Sequence, residues 1–211
     1  MSDPPMPPTG YASATTARYY DSQLRLERRG LSAAIALAAP RSSDVMIDIG
    51  TGTGALLALL ATRPHRPRRA TGIDASAAML AQACVLPDGW SLLCADARRL
   101  PLPDATVDLV TCAYLLHLLD ETDRGAVLRE IARVLAPGGR AALVTLLSPR
   151  GWVGRSALAP LQHGLCRAFG RPSGWCALNP SAEMPAAGLA IRRRTVCTRG
   201  YASLCLLVER C

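Results

Sequence analysis

Gly50, Gly52 and Gly54, three glycines spaced two apart, directly follow the apolar run Val45-Met-Ile-Asp-Ile49. A buried strand that stops at Gly-x-Gly-x-Gly must turn sharply, because glycine tolerates φ > 0 and lets a ligand approach the backbone. Ala55-Leu-Leu-Ala-Leu-Leu-Ala61 then reads as a helix whose first amides would face into that turn. A polar ligand placed there meets N–H donors and the positive end of the helix dipole. Asp74 closes a second apolar stretch, Ala70-Thr-Gly-Ile-Asp74, twenty residues after Gly54. The next parallel strand would bring this carboxylate beside the glycine turn, where it can accept both hydroxyls of a ribose. A tight strand-to-helix connection without a ligand would account for the glycines alone; the carboxylate at this spacing is what favours a bound nucleoside.

The elements that must hold these residues alternate along the chain. Trp90-Ser-Leu-Leu-Cys-Ala95 reads as a third strand ending at Asp96-Ala97, and Val107–Tyr114 as a fourth. Thr122 is a suitable N-cap for a helix through Leu135, with Val127, Leu128, Ile131, Val134 and Leu135 as its buried stripe. Pro137-Gly138-Gly139 ends that helix, and Arg140–Leu147 is the fifth strand. Strand and helix alternate from residue 45 to 147, which predicts a doubly wound α/β fold on a parallel sheet. Residues 1–14, proline-rich, are expected to be a loose tail, and one domain to span 15–211. Apolar positions from Tyr19 to Ala39 recur at helical spacing, so one or two helices precede the first strand. Ala75–Cys84 is expected to be a short helix, and Ile191–Val196 and Leu204–Val208 the last two strands. Little helix-forming material precedes Ile191, so the last crossover should be short and its direction is open.

Five segments in order carry a family resemblance: Asp48-Ile-Gly-Thr-Gly-Thr-Gly54, Gly72-Ile-Asp74, Cys94-Ala-Asp-Ala97, Leu102-Pro-Asp-Ala-Thr-Val-Asp-Leu-Val110 and Leu135-Ala-Pro-Gly-Gly-Arg140. They resemble the ordered motifs of class I S-adenosylmethionine-dependent methyltransferases. The nearest branch is that of ubiquinone/menaquinone-biosynthesis C-methyltransferases and related small-molecule and lipid methyltransferases. The resemblance implies a Rossmann-like seven-stranded sheet, mostly parallel with an antiparallel last strand, preceded by N-terminal helices. It also implies that S-adenosyl-L-methionine is held by Asp48, Gly50, Thr51, Gly52, Gly54, Asp74, Ala75, Met79, Asp96, Ala97, Cys112 and Ala113. Within that set Asp96 would accept from the adenine amino group and the Ala97 amide would donate to a ring nitrogen. Asp96 capping its own turn is the alternative. Tyr20 is either a wall of the methionine pocket or an anchor of the leading helix. His117, a turn after the fourth strand, falls where the family places substrate-facing residues. It is either a proton acceptor or a histidine satisfied by loop backbone.

Transfer from a sulfonium needs alignment and exclusion of water more than a catalytic triad, which fits the absence of such a motif. The expected acceptor is an O, N or C nucleophile of a small, lipophilic or anionic molecule. A non-catalytic cofactor-binding or membrane-associating protein of the same fold is the alternative. A nicotinamide-dependent oxidoreductase is a weaker one, because it would show Gly-x-Gly-x-x-Gly.

Composition narrows the partners. The chain has 211 residues, half of them apolar, a formal charge of +8, and arginine as its only strong base. From Ile131 to Val208 the single carboxylate is Glu183 against ten arginines, so this half should carry a positive field. That field reads as a solubilising surface, an anionic-substrate site or a contact for an acidic membrane. Nucleic acid is disfavoured, since arginines and aromatics do not interleave. Eight cysteines without Cys-x-x-Cys spacing or a leading signal sequence point to reduced thiols in a cytoplasm and to no metal. Cys84, Cys94, Cys112 and Cys205 lie in apolar runs and are expected in the core. Residues 148–185 are expected to form a helical cap, with Leu158, Leu161, Leu165 and Phe169 on one face and Trp152 and Trp175 nearby. Such a helix could roof a substrate, rest on a bilayer as a peripheral contact, or pack on the sheet. The oligomeric state is left open.

Overall fold

The computed structural model describes residues 14–147, 177–198 and 202–211, with side chains from residue 26 onward. Seven strands form one sheet: β1 (Val45–Ile49), β2 (Arg69–Asp74), β3 (Trp90–Cys94), β4 (Val107–Ala113), β5 (Leu135–Leu146), β6 (Leu189–Cys197) and β7 (Ser203–Arg210). Their order is β3-β2-β1-β4-β5-β7-β6. The first five strands pair in parallel, and β7 runs antiparallel to both β5 and β6. The edge strand β6 therefore points the same way as β1–β5, which settles the direction of the last crossover. That crossover ends in two single 3-10 turns, Pro180–Ala182 and Pro185–Ala187, as the prolines and lack of helical periodicity require.

Successive side chains of a strand face opposite sides, so the sheet builds two cores. Val110 and Cys112 of β4 pack with Val127, Leu128 and Ile131 of α4 (Glu121–Val134) on one face. Leu109 packs on the other, with Leu31, Ala34, Ile35 and Ala38 of α1 (Ala14–Ala38) and Leu56, Leu57 and Leu60 of α2 (Ala55–Ala61). Each such fully buried aliphatic side chain contributes roughly 1.5–3 kcal/mol. α1 is a single helix that stops just before Pro40. Its end is held by Arg140, which donates to the carbonyls of Ala38 (2.6 Å) and Ala39 (2.7 Å) and to Asp44 Oδ2 (2.7 Å).

Several boundaries differ from expectation for identifiable reasons. α4 is capped by Asp120, whose side chain accepts from Asp123 N at 2.8 Å, rather than by Thr122; the carboxylate two residues earlier is the better acceptor for that amide. β5 begins at Leu135, directly after α4, and its register against β4 shifts across residues 136–139 before Arg140 pairs with Leu109. The short helix after Asp74, α3, covers only Ala77–Leu80. Cys84 is consequently exposed, and Cys94 faces outward on the edge strand β3, so neither belongs to the core, whereas Cys112 and Cys205 do. The proposed cap lies outside the described residues from 148 to 176, together with its arginines and tryptophans.

Several arginines are held in ion pairs within the fold. Arg133 bridges Glu130 and Asp104, Arg124 meets Glu183, and Arg192 meets Glu209. Arg193 and Arg194 lie exposed on the edge strand β6, where charge hinders pairing with another sheet. No described helix is long and apolar enough to cross a membrane.

Candidate functional site: a glycine turn beside two carboxylates

The carboxyl ends of β1, β2, β3 and β4 meet at one edge of the sheet. Gly50 has φ +71, Gly52 φ +56 and Gly54 φ +77, so the chain leaves β1 through a left-handed turn as the glycine spacing predicts. A Cβ on Gly50 would lie 3.0 Å from the Leu115 side chain in addition to the unfavourable φ.

The turn amides are less free than the sequence suggests. Gly50 N and Thr51 N donate to the Ile73 carbonyl at 2.8 and 3.0 Å, Gly52 N donates to Asp74 Oδ2 at 2.8 Å, and Gly54 N donates to the Thr51 carbonyl at 2.8 Å. The end of β2 thus captures three of these four donors, and the turn itself the fourth. Asp74 accepts a second amide, Ser76 N, on Oδ1 at 2.9 Å. Each Asp74 oxygen therefore carries one internal bond, and a carboxylate oxygen can accept two. The side chain is fixed in place with acceptor capacity to spare.

Asp48 stands one strand inward. It is 2 % exposed, and Thr111 of β4, its register partner, donates to Oδ1 at 2.6 Å. Burial raises its pKa to about 6, opposed by the hydroxyls of Thr111 and Thr51 and reinforced by the nearby Asp74. Thr111 is thereby committed to Asp48. Cys112 is fully buried against α4 and does not open on the crevice, and burial pushes its thiol well above the usual range. Ala113, half-buried, is the β4 residue left at the rim.

Asp74 pairs with Cys94 across β2 and β3, and Ala95 N donates to the Asp74 carbonyl at 3.1 Å, so Asp96 lies just past the same strand ends. Its carboxylate is gripped by Arg98: Arg98 N reaches Oδ1 at 2.8 Å and Arg98 Nη2 reaches Oδ2 at 2.7 Å, with Nε 3.0 Å from each oxygen. The guanidinium also donates to Asp123 at 3.1 Å. Arg98 holds the Asp96 carboxyl below its ordinary range. Asp96 therefore does cap its own turn. The Asp-x-Arg spacing was the available signal for this clamp, but the tie to Asp123 depends on where α4 begins.

Ala75 is exposed and Ala97 half-buried at this edge, while Met79 is 8 % exposed on α3. Tyr20 belongs to α1, and its side chain lies outside the described residues. His117 sits in the 3-10 turn Leu116–Leu118, 8 % exposed, with its ring edge-to-face against Tyr114 at 6.3 Å. Burial lowers its pKa to about 4, so at neutral pH it is an uncharged imidazole.

A methyltransferase-domain family model matches residues 46–139, which span β1 to the start of β5. The chain is 33% identical over 171 residues to a demethylmenaquinone methyltransferase of Roseiflexus castenholzii, covering 76% of this chain and 69% of that protein. It is 35% identical over 134 residues to a malonyl-[acyl-carrier protein] O-methyltransferase of Marinomonas, covering 60% of this chain and 47% of the relative. Against the first curated relatives it spans about half their length. Among solved structures, the methyltransferase in complex with the Haloferax volcanii Trm112 activator superposes with a TM-score of 0.78 at 19% identity, over 98% of this chain and 99% of that one. That likeness speaks to the fold, and the relative from Roseiflexus to the family. The chain belongs to the S-adenosylmethionine-dependent methyltransferases.

Proposed function

We propose that this chain transfers the methyl group of S-adenosylmethionine to an O, N or C nucleophile of a small acceptor that is lipophilic or anionic. The observation that carries the reading is the pair of carboxylates, Asp74 and Asp96, at adjoining strand ends beside the left-handed glycine turn. Asp74 suits the two hydroxyls of a ribose, since its orientation is fixed by Gly52 and Ser76 while both oxygens keep acceptor capacity. Asp96 suits an adenine amino group, but Arg98 competes for its oxygens, so base binding requires Arg98 to yield part of its grip. Gly50, Thr51, Gly52, Gly54, Ala75, Met79, Ala97 and Ala113 complete the proposed cradle, with Asp48 holding the β4 end through Thr111 and Cys112 packing behind it.

The bound cofactor supplies an electrophilic methyl group on sulfur, and the protein's part is alignment and exclusion of water. His117, buried and uncharged, is a weak base; it is suited to accept a proton only from an already acidic nucleophile. The malonyl-carrier and demethylmenaquinone relatives point to an acceptor delivered as a small or lipid-like molecule. The test supplies methyl-labelled cofactor with polar and lipid extracts in parallel. Label in one fraction, dependent on Asp74, supports the reading; tight cofactor binding with no labelled product in either contradicts catalysis.

A further inference from the structure

The Tyr114 ring occupies a junction that the cofactor reading leaves unused. It directly follows the last residue of β4 with φ +59, a conformation a bulky residue adopts only when its surroundings enforce it. Its hydroxyl shares a hydrogen bond with Ser203 Oγ at 2.8 Å. A Cβ on Gly30 of α1 would collide with that same hydroxyl, so glycine is what lets the helix settle onto the ring. Its ring also meets His117 edge-to-face. One side chain thus joins α1, β4, β7 and the turn that carries His117.

The level of this junction in the fold gives it a consequence. Ser203 pairs with Leu146 at the end of β5, and Tyr114 follows the end of β4, so both lie at the carboxyl edge, where the crevice opens. From Gly30 the helix runs down the sheet to Ala38, whose carbonyl meets Arg140 near the opposite edge. Residues 14–29 of the same unbroken helix therefore stand beyond the carboxyl edge, roughly 24 Å of helix at 1.5 Å per residue. At the base of that overhang Gly30 is seated on Tyr114, and Glu27, nearly one turn before it, is buried as well.

We propose that Tyr114 is a positioning residue: through Gly30 and Ser203 it seats the overhanging half of α1 at its working distance from the cofactor crevice and ties that seat to the end of β4. The proposal builds on the methyl-transfer reading for its link to the cofactor. The seat itself does not depend on it.

The test is a double-mutant cycle in the full chain, Gly30→Ala, Tyr114→Phe and the combination, read by the affinity for S-adenosylhomocysteine well below the unfolding temperature. Each single change is expected to weaken binding about three- to tenfold, and the double variant to be no weaker than the worse single, because removing the hydroxyl removes the collision. Losses that simply add, or singles that bind as the wild type does, overturn the proposal. Should Gly30→Ala not fold, Tyr114→Phe with Ser203→Ala forms the equivalent cycle. If the wild type does not bind S-adenosylhomocysteine, the cofactor reading fails by itself, and amide exchange then decides the seat. Faster exchange confined to residues 14–29 in Tyr114→Phe supports it, and unchanged exchange there overturns it.

Discussion

Asp74 reaches back across the sheet to the Gly52 amide at 2.8 Å, so that the end of β2 holds the glycine turn in its left-handed course. The same carboxylate is the one proposed above to receive a ribose. Replacing it by alanine therefore removes an anchor and a ligand at once. Asp74→Ala is expected to weaken S-adenosylhomocysteine binding by roughly 2–4 kcal/mol, or about 30- to 1,000-fold, on the scale of lost charge-assisted hydrogen bonds. Calorimetry checks this. Asp96→Asn, whose carboxylate is already engaged by Arg98, should cost less than tenfold.

Gly50 can be tested without any ligand. Gly50→Ala places a Cβ at φ +71 and 3.0 Å from Leu115, and should destabilise the chain by about 1–3 kcal/mol. Thermal unfolding would register this as a fall of roughly 2–12 °C.

Two buried titrations act in opposite directions. Asp48 has its pKa raised to about 6 in the folded chain, so the stabilising protonated state is present at low pH and is lost as pH rises through that value. His117 has its pKa lowered to about 4, so the neutral ring's contribution is present above the unfolded value near 6.5 and is lost as pH falls towards 4. Between pH 4 and 6 these slopes largely cancel in the wild type. Urea unfolding of Asp48→Asn should therefore show stability rising with pH across that window, and His117→Gln should show it falling, each by about 2–3 kcal/mol at most. Parallel slopes in the two variants would contradict both assignments.

Arg140 and Asp44 form the most buried ion pair described, at 12% and 5% side-chain exposure. Arg140→Ala leaves Asp44 buried without its partner and frees two carbonyls at the end of α1, so a loss of about 3–5 kcal/mol is expected in chemical denaturation. Arg140→Lys should recover only part of it, since an ammonium lacks the planar fork that reaches Ala38, Ala39 and Asp44 together.

The sheet was legible because its evidence is local. Val45–Ile49 and Val107–Ala113 are apolar runs bounded by turns, and the Gly50–Gly54 spacing announces its own backbone geometry. The five motifs likewise located the carboxylates. What stayed hidden depends on residues far apart in sequence. Arg98 gripping both Asp96 and Asp123, Thr111 committed to Asp48 and Tyr114 meeting Ser203 are contacts between side chains whose own segments look unremarkable. The fate of the turn amides is hidden for the same reason, because Gly50, Thr51 and Gly52 find their acceptors on β2. Cys84 and Cys94 lie outside the core, contrary to expectation, because apolar neighbours in sequence do not reveal a helix that stops early or a strand that lies at an edge.

Calorimetry on the wild-type chain, with S-adenosylhomocysteine and NAD titrated separately, probes the site most directly. A methyl-donor site is expected to bind one equivalent of S-adenosylhomocysteine and to give no measurable heat with NAD. Binding of NAD with none of S-adenosylhomocysteine, or of neither, would contradict it.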